Sequence, residues 1–557
     1  MQRKATSHAN QEAPLNAAAD PHRRNGNGHG NGNGNGNGHH HVAEPAPTTV
    51  PVAKRPHRPF SQRTAGPHAS VQPLREHLRR PLAVMKFGGT SVGDSSRILN
   101  VAGIIRDAAY ASEVVVVVSA MAGVTNKLIE AATAAEAGNQ ARIADIFVEL
   151  ENRHAQAACE LIPSAFDRNA ILQKMRELFN ETELLCGIAA AIGKVTPAQR
   201  DQIASLGERV SAPLVAAVLA DLGVPSEAIS AVELIVTDGN YGGAEPLSVP
   251  TRTLCENRLR PLLGQNIVPI ITGYFGASAE GSLTTLGRGG SDYSATILGA
   301  ALDADEVVIW TDVDGVLSCD PKLVPHARTI PEISYLEAAD LAYFGAKVLH
   351  PKTLHPVMQS DIPVWIRNSF LPERIGTRIT PLGNPTFGEV KAVTAICDAR
   401  LITVSGEIAG SVNDAHTRAT RAVSSVGAEA WLVFQSEPGD RICVGVGPAL
   451  AGKTADALVE EFSDELIQGK FERVAIHSAI SILTVVGQGL DACADIAQRL
   501  EATLDRDEID VIAAAVGTSG CNFSIAIDQK DMKAALLAIH REFNLDETEP
   551  QPIASAF

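Results

Sequence analysis

The apolar positions between residues 82 and 313 follow two patterns that alternate along the chain. Unbroken aliphatic runs without polar alternation are typical of parallel strands that are covered on both faces. They occur at residues 82–87 (LAVMKF), 113–120 (EVVVVVSA), 267–276 (IVPIITGYFG) and 306–313 (EVVIWTDV). Residues 126–222 are rich in Ala, Leu, Glu and Gln with few breakers, which predicts a helical stretch. The alternation predicts a three-layer αβα sandwich with a mainly parallel sheet, whose active site lies where loops leave the carboxyl ends of the strands.

The pattern changes after about residue 388 to shorter units. An apolar run, a helix, two further apolar runs and a second helix occupy residues 392–470, and a similar order recurs from residue 471. Repeated strand, helix, strand, strand, helix units predict two small ferredoxin-like α+β domains that pair their edges. We therefore expect a tandem sensory module after the sandwich.

Residues 1–80 contain mainly Gly, Asn, His, Pro and Ala. This composition cannot bury a core, so we predict a disordered, low-complexity tail. Its arginines would also suit an organelle transit peptide and its His run a loosely bound metal ion, but it has few serines and no amphipathic stretch. The predicted domains are residues 1–80, 81–387, 388–470 and 471–544, with residues 545–557 as a segment that the first small domain could also recruit.

Composition excludes several classes of function. The 557 residues are 45% hydrophobic and 20% charged, which is typical of a globular multidomain chain. A net charge of −17, without a basic stripe interleaved with aromatics, argues against a nucleic-acid partner. The eight cysteines form no Cys-x-x-Cys pair, so we expect neither a zinc site nor disulfides, and a cytoplasmic location. We find no run of about 18 apolar residues that would predict a membrane span.

A glycine-rich turn follows the first predicted strand. The chain has no Walker A motif, so a nucleotide would need another cradle, and the segment from Lys86 to Ser91 (KFGGTS) is the candidate. Glycines allow backbone N–H groups to approach phosphate oxygens closely, and Lys86 can neutralise a transferring phosphoryl group. On its own, a Gly-Gly pair after a strand indicates only a turn.

A second cluster, TTLGRGGSDYSA, spans residues 284–295. The guanidinium of Arg288 among glycines suits bidentate capture of a carboxylate. Asp292 could pair with a lysine and orient it, or hold Mg²⁺. The alternative is that Asp292 is only the N-cap of the helix that follows.

Two further clusters follow, WTDVDGVLSCDPK at residues 310–322 and YFGAKVLHP at residues 343–351. Asp312 and Asp314 could face a ribose, a base or a metal, although an Asp-Gly turn alone explains Asp314. Lys347 is available for a β- or γ-phosphate, and we interpret His350 as structural.

These clusters, in this order, resemble the aspartate kinase family of the amino-acid kinase fold. The similarity is carried by KFGGTS, VVVSAMAGVTN, SLGERVSA, TTLGRGGSDYSA, WTDVDGV, CDPK and YFGAKVLHP, and it extends from about Leu82 to Phe543 if the two C-terminal units are ACT domains. The resemblance implies transfer of the γ-phosphoryl group of Mg·ATP to the β-carboxylate of L-aspartate. The product, 4-phospho-L-aspartate, leads to lysine, threonine and methionine.

The resemblance also implies roles for individual residues. Lys86 and Asp292 would be catalytic, and aspartate would bind Ser119, Thr125, Glu208, Arg288 and Ser291. The nucleotide would contact Lys86, Gly88, Gly89, Thr90, Ser91, Thr311, Asp312, Lys322 and Lys347, with Mg²⁺ carried by ATP and no metal site of the protein itself. The resembled family commonly has an aromatic residue at the position of Leu317, so the resemblance does not imply a stacking contact to the nucleotide there. Outside this context, a helical Glu208 beside Arg209 would be a surface residue.

In the resembled family, an end-product amino acid binds between paired ACT domains and inhibits the kinase. Lysine and threonine are the expected effectors here, and a homodimer or larger homo-oligomer through the ACT domains is expected. The candidate effector residues are Gln435, Ser436, Thr518, Ser519 and Asn522, whereas Arg441 and Val516 depart from the family pattern. Because the chain shows no additional dinucleotide-binding domain, we expect a monofunctional enzyme.

Three alternative functions stay open on the sequence. Another kinase of the same fold, acting on glutamate, acetylglutamate, carbamate or UMP, would explain the glycine loops but not the paired ACT domains. A non-catalytic amino-acid sensor would explain only the C-terminal repeats and gives no reason for Lys86, Arg288 and Asp292 to occur together. An interaction or metal-binding protein would explain only the tail.

Overall fold

A computed structural model describes residues 80–346, 348–384, 388–406, 412–435, 441–517 and 519–546. The strands of the N-terminal domain are β1 (Leu82–Phe87), β2 (Glu113–Val118), β3 (Ser226–Ile229), β4 (Val236–Thr237), β5 (Val268–Thr272), β6 (Phe275–Ser278), β7 (Leu283–Thr285), β8 (Glu306–Thr311), β9 (Glu332–Ser334), β10 (Val364–Asn368) and β11 (Thr377–Thr380). Its helices are α1 (Ser95–Ala111), α2 (Val124–Glu136), α3 (Gln140–Leu161), α4 (Ala165–Ile192), α5 (Pro197–Ala204), α6 (Leu206–Asp221), α7 (Ser248–Leu263), α8 (Gly290–Ala301), α9 (Tyr335–Tyr343) and α10 (His355–Met358).

The main sheet has eight strands in the order β3-β5-β2-β1-β8-β10-β11-β9. Strand β1 lies in the interior and pairs in parallel with β2 and β8. Successive side chains of a strand point to opposite faces. Accordingly Met85 and Phe87 join the apolar core on the side of α1–α6, whereas Leu82 and Val84 join the core on the side of α7 and α8. The predicted αβα sandwich with a mainly parallel sheet is confirmed.

The predicted helical stretch forms helices α2 to α6, and its final part is unusually apolar. Segment Pro197–Asp221 is long and apolar enough to cross a membrane by length and composition alone, and no other described helix meets that test. However, 83% of its apolar window is buried inside the domain. Burial on all sides is typical of a core helix of a large domain.

The predicted strand at residues 267–276 is divided in the structure. Strand β5 ends at Thr272 and β6 begins at Phe275, because Tyr274 between them adopts a left-handed backbone conformation with φ of 79°. A Cβ atom at Gly273 would lie 2.7 Å from Cβ of Ser291, so the start of α8 packs directly on this break. Strand β6 then joins β4 and β7 in a separate three-stranded sheet. The aliphatic pattern did not predict the turn at Gly273 and Tyr274, where α8 packs against the chain.

The C-terminal module contains a six-stranded sheet in the order β13-β14-β12-β15-β17-β16. Its strands are β12 (Val390–Gly406), β13 (Leu432–Gln435), β14 (Arg441–Val446), β15 (Phe471–Gly487), β16 (Val511–Val516) and β17 (Asn522–Asp528). Its helices are α11 (Val412–Ser425), α12 (Ala451–Glu461), α13 (Ser463–Ile467), α14 (Ala494–Arg506) and α15 (Met532–Glu542). Both units have the predicted strand and helix order, and the long antiparallel pair β12–β15 joins them into one sheet.

The two units exchange parts of these long strands. Ile402 and Val404 of β12 pack in a core with α11 and α12, whereas Val390 and Val393 of the same strand pack in a second core with α14 and α15. Each unit therefore contains segments from both sides of the predicted boundary at residue 470. Leu545 lies in the second core rather than the first unit, and residues 547–557 of the segment considered for recruitment lie outside the described residues.

Candidate active site

Lys86 is placed by the alternation of β1. It shares a strand face with Leu82 and Val84, and that face packs against α8. The Nζ atom of Lys86 lies 2.5 Å from Oδ1 of Asp292, and the two side chains are only 10% and 15% exposed. Asp292 lies in the first turn of α8, whose N-cap is Gly289, so the alternative role of Asp292 as N-cap is wrong. The structure instead forms a shielded ion pair at the end of the central strand.

The glycine loop after β1 contacts both neighbouring strand ends. Gly88 N–H donates to the Trp310 carbonyl at the end of β8 at 3.2 Å. A Cβ atom at Gly89 would lie 2.8 Å from the Ala120 carbonyl oxygen, which follows β2, so a larger residue would displace the backbone. The loop is therefore held closely against β2 and β8 beside the Lys86 ammonium.

Glu208 is a buried carboxylate, not the surface residue of the alternative interpretation. It lies in the first turn of α6 and is 3% exposed. Burial raises its pKa to about 8, opposed by backbone hydrogen bonds and by the nearby charge of Lys86. Its Oε2 atom has no hydrogen-bond partner among the described residues. A buried carboxyl group with one oxygen left without a partner is suited to binding a cationic ligand group.

The helix that carries Glu208 approaches the loop after β2 closely because of Gly207. A Cβ atom at Gly207 would lie 2.4 Å from Cβ of Ala120. The predicted S-x-G-E segment therefore has a geometric basis: glycine permits the contact, and the next residue is directed toward the loop after β2.

A cavity of about 540 Å³ opens at the carboxyl ends of the central strands. All residues predicted for catalysis and aspartate binding line it, namely Lys86, Ser119, Thr125, Glu208, Arg288, Ser291 and Asp292. The cavity combines cations, the Lys86 and Arg288 side chains, with the buried Glu208 carboxyl and several hydroxyl groups. A small zwitterion with a second carboxylate matches this pattern of charge.

Known families account for most of the described chain. Residues 81–368 match the amino acid kinase family, and residues 483–543 match an ACT domain. Aspartokinase 1, chloroplastic, of Arabidopsis thaliana is 30% identical over 477 residues, which cover 83% of this chain and 80% of that protein. The chain belongs to the aspartokinases. The bifunctional aspartokinase/homoserine dehydrogenase 1 of the same plant is 32% identical over 475 residues, covering 84% of this chain and 51% of that protein.

The chain thus spans about half the length of the bifunctional relatives that it matches. Two solved structures of aspartokinase III of E. coli are also similar. The complex with aspartate and ADP, described as the R-state, has a TM-score of 0.68 and 27% identity over 83% of this chain and 99% of that one. The complex with lysine and aspartate, the T-state, has a TM-score of 0.64 and 28% identity over 84% and 100%.

Two residues that shape this aspartokinase cavity were missed by sequence reasoning. Tyr274, at the break after β5, lines the cavity, and burial raises the pKa of its phenol. Asp201 is 3% exposed and accepts hydrogen bonds from the Gly242 and Thr285 amides at 2.9 and 2.7 Å. Asp201 thereby fixes the strand leading to Arg288. Neither residue belongs to a recognisable local motif. In addition, an Asp inside a helix is ordinarily exposed, so the sequence does not predict the burial of Asp201.

The predicted nucleotide residues lie in a neighbouring group. The Ser91 hydroxyl is 2.8 Å from that of Ser369, which donates to the Thr311 carbonyl at 3.0 Å. Thr311 also donates to the exposed Asp312 at 3.2 Å. The structure thus links the glycine loop to the end of β8 through Ser369, a residue that the sequence analysis did not select.

The remaining predicted nucleotide contacts are distributed more widely. Thr90 follows Gly89 in the glycine loop and is partly buried. Lys322 is exposed on the loop after β8, and Lys347 lies outside the described residues. Asp314 pairs with Arg374 and accepts from Asn368 at 2.7 Å, so it has a structural role beyond an Asp-Gly turn.

Two of the candidate effector residues contact the kinase domain. The Ser519 hydroxyl and the Asn522 amide donate to the same oxygen of Asp340 in α9, at 2.6 and 2.8 Å. The side chain of Gln435 and the whole of Ser436 and Thr518 lie outside the described residues. The described part of the predicted effector site is therefore joined to the catalytic domain.

Proposed function

We propose that this chain is an aspartate kinase, which transfers the γ-phosphoryl group of ATP to the β-carboxylate of L-aspartate. The observation that carries the proposal is the cavity beside the Lys86–Asp292 pair. The Glu208 carboxyl, whose Oε2 atom has no partner among the described residues, lines this cavity together with Arg288. Glu208 would bind the substrate ammonium, and Arg288 its α-carboxylate. The β-carboxylate is then directed toward Lys86.

The reaction needs no general base. A carboxylate is already an anionic nucleophile at neutral pH, so in-line positioning and neutralisation of the transferring charge are sufficient. Lys86 supplies the neutralising charge, and Asp292 holds the ammonium in place. The shielded position of the pair strengthens this interaction, because electrostatic attraction grows where water is excluded.

Mg²⁺ fits this site as a partner of the nucleotide. The described residues contain no group of three or more His, Cys, Asp or Glu side chains that could hold a metal by themselves. Mg²⁺ commonly binds one or two carboxylates together with substrate phosphates, and Asp292, which lines the cavity and pairs with Lys86, is a carboxylate that could serve. When bound, the ion would neutralise phosphate charge.

Trapping the acyl phosphate with hydroxylamine tests the substrate. Purified full-length protein is incubated with ATP, Mg²⁺ and hydroxylamine, separately with aspartate, glutamate, N-acetylglutamate or no acceptor. We expect hydroxamate with aspartate only. Product with glutamate but not aspartate would replace the proposed substrate, whereas no product from any acceptor, with retained lysine or threonine binding, would favour the non-catalytic sensor.

We further propose feedback inhibition by lysine or threonine through the ACT domains, and assembly of at least a homodimer through them. The inhibition by lysine is supported by the two-unit module and by the lysine complex of the similar E. coli enzyme. Adding each amino acid to the hydroxamate assay, with light scattering to measure the oligomer, tests both statements.

A further inference from the structure

Ser318, on the loop after β8, is a point where three parts of the chain meet. Its carbonyl accepts from the Val393 amide of β12 at 2.8 Å, and its hydroxyl accepts from the Arg328 amide at 3.0 Å. The same hydroxyl contacts Nε2 of His540 in α15 at 3.0 Å and the Leu545 carbonyl at 3.1 Å. Ser318 is fully buried and His540 is 3% exposed.

The direction of the contact between His540 and Ser318 follows from a count of hydrogens. A hydroxyl has one hydrogen to donate and two lone pairs to accept with. The Leu545 carbonyl can only accept, so the hydroxyl hydrogen goes there, and the Arg328 amide can only donate. The remaining lone pair is satisfied if Nε2 of His540 carries a hydrogen and donates it. Burial lowers the pKa of His540, so a neutral ring with its hydrogen on Nε2 is the form that fits.

Apolar packing extends this contact. Cys319 and Val324, from the same loop, are buried in the apolar core of the second ACT unit with Leu536 and Ile539 of α15. The loop is thus built partly from the hydrophobic core of the regulatory module. Without α15 and the residues that follow it, Cys319 and Val324 would lose part of their packing, and Ser318 would lose its contacts with His540 and Leu545.

This loop carries predicted nucleotide contacts on both sides of Ser318. It begins at Thr311 and Asp312, at the end of β8, and continues through Ser318 to Lys322. We infer that His540 is a positioning residue for ATP: by donating to Ser318 it fixes the nucleotide loop from the regulatory module. The inference rests on the proposed function, because it assumes that this loop binds ATP. The predicted aspartate ligands all lie on other segments, so we expect an effect on ATP binding and not on aspartate binding.

Steady-state kinetics of the full chain test the inference. His540→Leu removes the donor and keeps a similar volume, His540→Gln retains an N–H near the position of Nε2, and Ser318→Ala removes the acceptor. We expect His540→Leu and Ser318→Ala to raise KM for ATP about fivefold, with KM for aspartate changed by less than about twofold. His540→Gln should recover most of the ATP affinity. The double variant His540→Leu/Ser318→Ala should raise KM for ATP no further than either single variant, because the two residues form one interaction.

His154→Leu is the matched control. His154 is also fully buried and contacts a carbonyl, that of Leu150, but it lies in α3 away from the nucleotide loop. This control should lower the melting temperature, but it should not raise KM for ATP more than KM for aspartate. Calorimetry with ADP gives a readout without turnover and should show the same weakening in His540→Leu.

The outcomes are distinguishable. An unchanged KM for ATP in folded His540→Leu and Ser318→Ala, or equal rises in both KM values, would overturn the inference while leaving the kinase intact. If His540→Leu does not fold, Ser318→Ala and ADP calorimetry decide. If the unsubstituted protein makes no acyl phosphate, the proposed function fails, and ADP affinity alone still tests the role of His540.

Discussion

The Lys86 ammonium and the Asp292 carboxylate lie 2.5 Å apart, at the junction between the central strand and the first turn of α8. We predict that Lys86→Ala lowers kcat about 10³-fold, because charge neutralisation in a shielded site supplies a large share of phosphoryl-transfer catalysis. Asp292→Asn should lower kcat by a similar order, and the double variant should lose less than the product of the two. The hydroxamate assay measures all three, with circular dichroism to verify folding.

A surface pair serves as the control for this prediction. Lys127 and Glu149 lie 2.8 Å apart and are 32% and 54% exposed, so Lys127→Ala should leave kcat unchanged within about twofold. Residual activity of Lys86→Ala above about a tenth of the original would remove Lys86 from the catalytic role.

The raised pKa of Glu208 predicts a pH dependence of aspartate binding. With a pKa of about 8 the carboxyl is largely protonated at pH 7, and binding of the substrate ammonium requires its deprotonation. We therefore expect kcat/KM for aspartate to rise as pH increases toward 8. Glu208→Gln should lower kcat/KM about 100-fold and abolish this rise. A Glu208→Gln variant that retains the original pH profile would assign the titration to another group.

The same group affects stability with the opposite sign. The folded protein keeps the Glu208 proton up to about pH 8, whereas the unfolded chain releases it near the ordinary value of 4.5. Stability contributed by Glu208 therefore falls as pH rises from about 4.5 to 8. The Glu208→Gln variant should lack this contribution to the pH dependence of stability. The measurement is the difference between the melting-temperature profiles of the two proteins from pH 4.5 to 8. Glu181→Gln, an exposed residue paired with Arg209, is the control.

Arg288→Lys tests the geometry of carboxylate recognition. Lysine keeps the charge but lacks the planar pair of donors that binds a carboxylate at both oxygens. We expect KM for aspartate to rise about tenfold or more, with a smaller change in kcat and in KM for ATP. Arg209→Lys, which changes a partly buried arginine paired with the exposed Glu181, should change neither KM value. A larger effect on ATP than on aspartate would place Arg288 on the nucleotide instead.

The sequence predicted the sandwich well because its signals are local. Aliphatic runs mark β1, β2 and β8, and a strand end followed by glycines marks the loop at Gly88. The grouping of Lys86 with Asp292 depends on the parallel order of distant strands, which motif resemblance supplied and periodicity alone could not. The break at Tyr274 was missed because the helix that causes it is remote in sequence.

The sequence also did not predict the role of Asp201 or the exchange of strand segments between the ACT units. Asp201 binds two backbone amides, which every sequence provides, and the hydroxyl of Thr285, which lies 84 positions away along the chain. In strand β12, Asp398 and Arg400 interrupt the apolar pattern between Val393 and Val404, but the sequence does not show that the two valines face different cores. Contacts of this kind are decided by tertiary packing and not by local pattern.

The contact of Asp340 with Ser519 and Asn522 predicts how inhibition responds to substitution. If an effector amino acid binds Ser519 and Asn522, as proposed, it must displace the Asp340 carboxylate, which now accepts hydrogen bonds from both. Asp340→Asn weakens the competing contact, because a neutral amide is a poorer acceptor than a carboxylate. We therefore expect the lysine or threonine concentration for half-inhibition to fall about threefold to tenfold, with kcat and both KM values in the absence of effector little changed.

Asp398→Asn, which alters an exposed pair with Arg400 in the same module, should leave inhibition unchanged. A rise in the half-inhibitory concentration of Asp340→Asn would mean instead that Asp340 supports effector binding, since only a contact present in the inhibited state could be lost in that direction.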